Sequence, residues 1–386
     1  MDFELSDEHR ALQQTVRDFC RKEVAPVVAA DEKAHRFQRE LISQMGQLGF
    51  FGCPIPEKYG GNGMGYIAHA ITCEEVARVS GSLRAGFNMQ TMLTARTLLK
   101  FGTERQRQTL IPKLVRAELL GCFGLTEPNA GSDAGSLKTT ASKKGDYYIL
   151  NGSKTWITYA TVADLGVFFA YTDPSKRYKG MSAFLVDMHA PGVSTKLIED
   201  KLGWHACPTG EVFLEDVAVP RENLLQEEGF GFPIMMMDLD GSRLTAASGA
   251  LGVCQAFLDE SIKYANQREQ FGQKIGQFQM IQEMIGRMVV ETEAARLLVY
   301  RCAAQKDQGK ENNTLETSMA KYYACDAASR LADIALQILG AYGYSGEYPV
   351  ERHLRDAKLY QILEGSANIH KMIIAQDALG YRKANR

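Results

Sequence analysis

The feature that most constrains this chain is a change of apolar periodicity that happens twice along its length. Leu12, Val16, Phe19 and Val24 recur at spacings of three to five behind a candidate cap at Ser6 with Asp7 and Glu8 following, which predicts a helix, and similar stretches continue to about residue 118. A glycine-rich run, Tyr59-Gly60-Gly61-Asn62-Gly63, predicts a loop between helices. From about Leu119 to Gln226 the texture becomes short β-prone runs, among them Tyr147-Tyr148-Ile149-Leu150, Val167-Phe168-Phe169-Ala170 and Ala183-Phe184-Leu185-Val186, separated by Gly, Pro, Asn and Asp. After Gly231 long amphipathic helices return, roughly Gln279 to Gln308, Thr317 to Leu339 and Val350 to Leu379. A chain of 386 residues also exceeds what one hydrophobic core usually supports, so the pattern predicts helices, then a sheet, then a helical bundle, as two or three domains packed around shared interfaces.

Composition narrows the partners. The formal net charge of −2 offers no field for a polyanion, so nucleic acid is not expected. The eight cysteines, Cys20, Cys53, Cys73, Cys122, Cys207, Cys254, Cys302 and Cys325, show neither paired spacing nor alternation with histidine; they read as reduced core thiols of a cytoplasmic protein, with no metal site. The first ten residues are polar and acidic, unlike a signal or transit peptide, and no stretch is long enough to span a bilayer, so no membrane insertion is expected. Met235, Met236 and Met237 read as core or domain-interface packing.

Two segments of the β-rich region carry chemistry. Phe123-Gly124-Leu125-Thr126-Glu127-Pro128-Asn129-Ala130-Gly131-Ser132-Asp133 is dense in small residues, hydroxyls and backbone amides, suited to lie against a planar polar ring, although alone it is compatible with an ordinary turn. Asn151-Gly152-Ser153-Lys154-Thr155-Trp156-Ile157-Thr158 sets an aromatic face beside a hydroxyl, although a lone tryptophan is more often core. Together these two segments resemble the flavin loops of the acyl-CoA dehydrogenase family. The resemblance runs the length of the chain and implies an α+β fold: an N-terminal α-helical domain at 1–118, a middle β-barrel-like domain at 119–228 and a C-terminal four-helix bundle at 229–386. It also implies FAD, with Phe123, Leu125, Thr126, Trp156 and Thr158 on the isoalloxazine ring and Ser132 on the pyrophosphate and near the CoA chain.

Further likenesses lie in the C-terminal half, at Arg268-Glu269-Gln270-Phe271-Gly272 through Phe278-Gln279 and at Gln337-Ile338-Leu339-Gly340-Ala341-Tyr342-Gly343. An arginine suits phosphate pairing, and a glycine at a helix end lets backbone approach a dinucleotide, though it is ordinarily only a cap. By resemblance Arg268, Phe271, Phe278, Gln279, Gln337, Leu339 and Gly340 contact the adenosine end of an FAD held mainly by a neighbouring subunit, which implies a homotetramer; Ser366 is a further FAD contact.

Removing a weakly acidic proton α to a thioester calls for a carboxylate in a dry pocket, with hydrogen bonds to the thioester oxygen. Glu364, in Tyr360-Gln361-Ile362-Leu363-Glu364-Gly365-Ser366-Ala367-Asn368-Ile369, follows apolar residues and precedes a Gly-Ser turn. On composition alone it reads as a solvated helix face. The resemblance makes it the catalytic base, with its backbone amide on the thioester oxygen and Gly365 and Arg243 near the substrate. Some relatives carry the base just before that arginine, where this chain has Ser242, which cannot serve.

Arg84 and Asn88 lie in Ser80-Gly81-Ser82-Leu83-Arg84-Ala85-Gly86-Phe87-Asn88-Met89-Gln90, with Phe87, Met89 and Met92 as candidate pocket wall. Arg84 reads either as a structural arginine or, by resemblance to the glutaryl-CoA dehydrogenase branch, as the partner of a substrate ω-carboxylate. Decarboxylating members of that branch carry a glutamate and a tyrosine where this chain has Ala77 and Leu363, so the resemblance implies oxidation of glutaryl-CoA to glutaconyl-CoA with the carboxyl group retained. The alternative substrate is an alicyclic or branched acyl-CoA such as cyclohexanecarboxyl-CoA, with Asn88 against ring carbons. A non-catalytic flavin or acyl-CoA binding protein and an acyl-CoA oxidase are the remaining readings; Glu364 argues against the first and the compact length against the second. The resemblance also implies that electrons leave through an electron-transferring flavoprotein, the partner this family uses, and no nicotinamide-type glycine motif follows a strand here.

Overall fold

The computed structural model describes residues 4–310 and 312–385. Its N-terminal part is helical: α1 (Asp7–Phe19), α2 (Val28–Ala34), α3 (Arg39–Gln47), α4 (Gly65–Ala77), α5 (Gly81–Gly86), α6 (Arg96–Phe101) and α7 (Glu104–Val115). The expected cap of α1 forms, the Ser6 hydroxyl accepting from the His9 amide at 3.2 Å while Asp7 and Glu8 complement the helix dipole. Between α5 and α6 the chain stays helical but widens to a π-helical run, Phe87–Ala95, every residue of which is buried. Such widening changes the angle at which successive side chains leave the helix and is common at functional sites.

The middle part holds β1 (Gly121–Gly124), β2 (Thr140–Lys144), β3 (Tyr147–Thr158), β4 (Leu165–Tyr171), β5 (Met181–Asp187), β6 (Val193–Leu197) and β7 (Thr209–Pro220). They form one mixed sheet in the order β1-β4-β2-β3-β7-β6, with β5 also on β4; β1 and β2 run parallel to β4 and the other pairings are antiparallel. All three β-prone runs named from the sequence fall in strands, β3, β4 and β5. The long pair β3 and β7 slips register between Lys154 and Ile157, which turns Trp156 outward.

The C-terminal part is α8 (Gly231–Gln267), a short hairpin of β8 (Glu269–Gln270) and β9 (Gln273–Lys274), α9 (Gln279–Asp307), α10 (Thr314–Leu339), α11 (Val350–Tyr360) and α12 (Ala367–Ala378). Helix α10 packs on α8 and α9 and carries α11 and α12, and α8 also packs on α4 and the π-helical run. The Asp307 carboxylate accepts from the Tyr66 and Ile67 amides at 2.6 and 3.0 Å, so the end of α9 caps α4. One expectation is corrected. Val350 to Leu379 is not a single helix, because residues 361–366 interrupt it: Glu364 and Gly365 both have left-handed φ, +56° and +89°, which a right-handed helix cannot continue, and Ser366 takes the extended geometry that starts α12.

The buried side chains of all three parts join in one continuous core. All eight cysteines are buried and free. Among the described residues no helix is long and apolar enough to cross a membrane.

Candidate active site

The break between α11 and α12 puts Glu364 where three distant segments meet. Its Oε1 accepts from Asn88 Nδ2 at 2.7 Å and its Oε2 from Ser242 Oγ at 2.5 Å, so each carboxylate oxygen has its own donor. Asn88 comes from the π-helical run and Ser242 from α8. The main chain of the turn is held as well: Arg243 Nε donates to the Glu364 carbonyl at 3.3 Å, and Lys321 Nζ to the Gly365 carbonyl at 2.7 Å. Glycine is required at 365 by its φ, and a Cβ there would lie 3.3 Å from His370 Nε2. Burial and the nearby Arg243 and Lys321 push His370 down to about 3, so it stands neutral beside the turn.

One helical turn before Asn88, Arg84 is 1 % exposed. Its guanidinium donates to Asn88 Oδ1 at 2.8 Å and lies 4.7 and 5.0 Å from the ring centres of Trp204 and Tyr360. Among the described residues no carboxylate makes an ion pair with it, and its Nε has no hydrogen-bond acceptor. Arg84, Asn88 and Glu364 thus form a single hydrogen-bonded line. Ahead of Ser242 on the same helix, Asp238 is fully buried with both oxygens unpaired; burial pushes it up to about 8 against the pull of Arg96.

In the sheet, the two predicted flavin segments are tied to each other. The Thr155 amide donates to the Thr126 carbonyl at 2.9 Å. Beneath them Lys154, fully buried, donates to Glu127 Oε1 at 2.7 Å and to the carbonyls of Phe169 and Leu125 at 2.8 and 3.3 Å. Glu127 in turn accepts from the Lys138 and Thr139 amides and the Thr139 hydroxyl, at 2.6, 3.1 and 2.5 Å. Phe123 and Leu125 are buried, while Trp156 is 59 % exposed in left-handed backbone, φ +59°. Among the described residues the Thr126 and Thr158 hydroxyls have no protein partner. An exposed aromatic side chain on segments that also carry two free hydroxyls suits a planar ring edged with heteroatoms, so the residues present fit FAD. Ser132 lies on the exposed part of the same loop.

The remaining candidates gather at the end of the helical bundle. Arg268 lies over the Tyr342 ring at 5.7 Å, Phe271 is 94 % exposed and meets Phe278 edge-on at 6.1 Å, and Gln279 and Gln337 are exposed. Leu339 is buried, and Gly340 caps α10 with φ +62°. Among the described residues no hydrogen bond or ring contact joins this patch to the two flavin segments. Ser366 and Gly365 sit instead in the turn with Glu364. Sequence reasoning missed Trp204, Tyr360, Lys321 and the Lys154–Glu127 pair, and it treated Ser242 only as an absent base; the chemical signal for the pair, a lysine and a glutamate inside the two flavin segments, was present but pointed to no partner.

Family models match along almost the whole chain: Acyl-CoA dehydrogenase, N-terminal domain at residues 6–118, middle domain at 122–217 and C-terminal domain at 229–379. A glutaryl-CoA dehydrogenase of Desulfococcus multivorans is 52 % identical over 390 aligned residues, covering 100 % of both chains. The caffeyl-CoA reductase-Etf complex subunit CarC of Acetobacterium woodii is 43 % identical, covering 96 % of this chain and 98 % of that protein. The solved structure of a glutaryl-coenzyme A dehydrogenase glutaryl-CoA complex superposes with a TM-score of 0.98 at 51 % identity, covering 100 % of this chain and 98 % of that one. With the fold in agreement with these likenesses, the chain belongs to the acyl-CoA dehydrogenase family: it is an FAD-dependent oxidoreductase acting on acyl-CoA thioesters.

Proposed function

We propose that the enzyme oxidises glutaryl-CoA to glutaconyl-CoA without decarboxylation, with Glu364 as the base. The observation that carries the substrate is Arg84. A buried guanidinium without an acid partner is costly, and an ω-carboxylate is the ligand whose two oxygens match its fork. The 52 % identity to a named glutaryl-CoA dehydrogenase supports the same class. Ala77, buried on α4, and Leu363, beside the base, bring no acid or hydroxyl that could protonate the carbanion left by loss of CO2.

Asn88 and Ser242 orient the two oxygens of Glu364 so that one can turn to the α-proton of the substrate. The Glu364 amide, which has no acceptor among the described residues, is available to the thioester oxygen as negative charge builds there. When bound, FAD supplies the acceptor for the β-hydrogen and its electron pair. Phe123, Leu125, Thr126, Trp156 and Thr158 hold its ring in this reading and Ser132 its pyrophosphate. Arg268, Phe271, Phe278, Gln279, Gln337, Leu339 and Gly340 serve the adenosine end bound by another subunit of a cytoplasmic homotetramer, and the exposure of Phe271, Met280 and Tyr344 is what such a surface presents before it is covered. The acceptor of the electrons is an electron-transferring flavoprotein, in keeping with the relative named as part of an Etf complex. Domain limits of 1–118, 119–228 and 229–386 complete the reading.

The test is anaerobic reduction of the yellow protein by glutaryl-CoA and, in parallel, cyclohexanecarboxyl-CoA, with wild type and Arg84→Ala. Bleaching by glutaryl-CoA that the variant loses, with no crotonyl-CoA formed, is the expected result. Bleaching by the alicyclic thioester alone overturns the carboxylate role of Arg84.

A further inference from the structure

Lysine is almost never fully buried unless paired with an acid. Lys321 of α10 is fully buried, and among the described residues its ammonium makes no ion pair; its hydrogen bond is to the main-chain carbonyl of Gly365 at 2.7 Å. Burial holds its pKa below the ordinary lysine value, even though Cys325 and Glu364 pull the other way. A carbonyl alone is poor compensation for a desolvated charge, so packing does not account for a lysine at this position.

The geometry of the turn does account for it. The Glu364 carbonyl faces Arg243 and the Gly365 carbonyl faces Lys321, so two successive carbonyls are each held by a cation. Both residues have left-handed φ, a conformation that glutamate adopts only where its surroundings impose it. His370, the other polar group packed on the turn, is kept neutral by burial and by the nearby Arg243 and Lys321, so the positive charge at the two carbonyls comes from Arg243 and Lys321. With both carbonyls drawn toward α8 and α10, the Glu364 side chain projects to the side where Asn88 and Ser242 receive it.

We infer that Lys321 is a positioning residue for this reaction: its ammonium fixes the left-handed Glu364–Gly365 turn, and so sets where the carboxylate and amide of Glu364 meet the substrate. The inference rests on the reading of Glu364 as the base. Lys321 touches neither substrate nor reacting atoms in this account, and it acts through the turn alone.

The experiment compares holoenzyme of wild type, Lys321→Met, Lys321→Gln and Glu364→Gln, with turnover counted per bound flavin and glutaryl-CoA and butyryl-CoA as probes. Losing one charged hydrogen bond to the turn is expected to lower kcat of Lys321→Met about 10- to 100-fold while KM stays within about threefold, because the turn sets the aim of the Glu364 carboxylate for proton removal more than it sets substrate binding. Lys321→Gln, which keeps a donor without the charge, falls between the two. Exchange of the substrate α-hydrogen into D2O slows in the same order, a readout that loss of packing alone does not produce per bound flavin. Unchanged kcat and α-exchange per flavin in Lys321→Met, whatever its thermal stability, overturns the role of Lys321. Full turnover in Glu364→Gln overturns the reading of the base instead, so the two failures are told apart.

Discussion

Replacing Lys154 with methionine tests whether the flavin segments are held by the buried pair beneath them. The change removes donors to Glu127 Oε1 and to the carbonyls of Leu125 and Phe169, while a side chain of similar length still fills the space. Breaking one partner of a buried ion pair costs about 3–5 kcal/mol. Glu127 keeps three donors, from the Lys138 and Thr139 amides and the Thr139 hydroxyl, so the lower end, about 3 kcal/mol, is expected. That is a factor of roughly 100 in the local equilibrium between ordered and loosened loop, and because FAD must select the ordered form, its apparent Kd should rise by up to about that factor. The assay is FAD release from the holoenzyme under dilution, alongside a urea unfolding curve. Adding Glu127→Leu should restore part of the loss, since the stranded carboxylate is removed. The sign with pH is fixed too: burial alone would raise Glu127, but Lys154, Thr139 and Lys138 hold it below its ordinary 4.5. The stability this contributes is present above the unfolded value and disappears as pH falls through the native one, so acid should release FAD, and the variant should show a shallower acid dependence. A variant with wild-type FAD affinity, wild-type unfolding midpoint and an unchanged acid limb would refute the reasoning.

Two further outcomes are expected at the catalytic end. Ser242→Ala removes the 2.5 Å hydrogen bond to Glu364; a bond to a charged group is worth about 1.5–3 kcal/mol, so kcat per flavin should fall about 10- to 100-fold with KM little changed, as steady-state kinetics would show. Asp238→Asn should stabilise the protein increasingly as pH rises from about 4 toward 8. The native carboxyl is raised from 3.8 to about 8, so the wild type loses stability across that window while the asparagine does not titrate; parallel curves in urea unfolding against pH would count against it.

What the sequence made legible follows from the range of the interactions involved. Periodicity and turn chemistry are local, so the helix capped by Ser6, the strands through Tyr147, Val167 and Ala183, and the order of helices and sheet could be read directly. The break at 361–366 could not, because the apolar spacing of Val350 to Leu379 continues across it; the conformation is imposed by Arg243 and Lys321, which lie 121 and 44 residues away in sequence from the carbonyls they hold. The same holds for the clamp on Glu364, whose donors Asn88 and Ser242 are separated from it by 276 and 122 positions. Family likeness could name the glutamate, but nothing local to it says what turns its carboxylate. Arg84 shows the limit most plainly: its neighbours in sequence suggest a pocket wall, yet the rings that enclose it, Trp204 and Tyr360, come from the loop before β7 and from the end of α11. Among the described residues this cation is shut in by rings and hydrogen-bonded to Asn88, with no carboxylate in an ion pair with it. That enclosure arises only when distant segments are packed together, which is why the surroundings of Arg84 could not be read from the residues beside it in sequence.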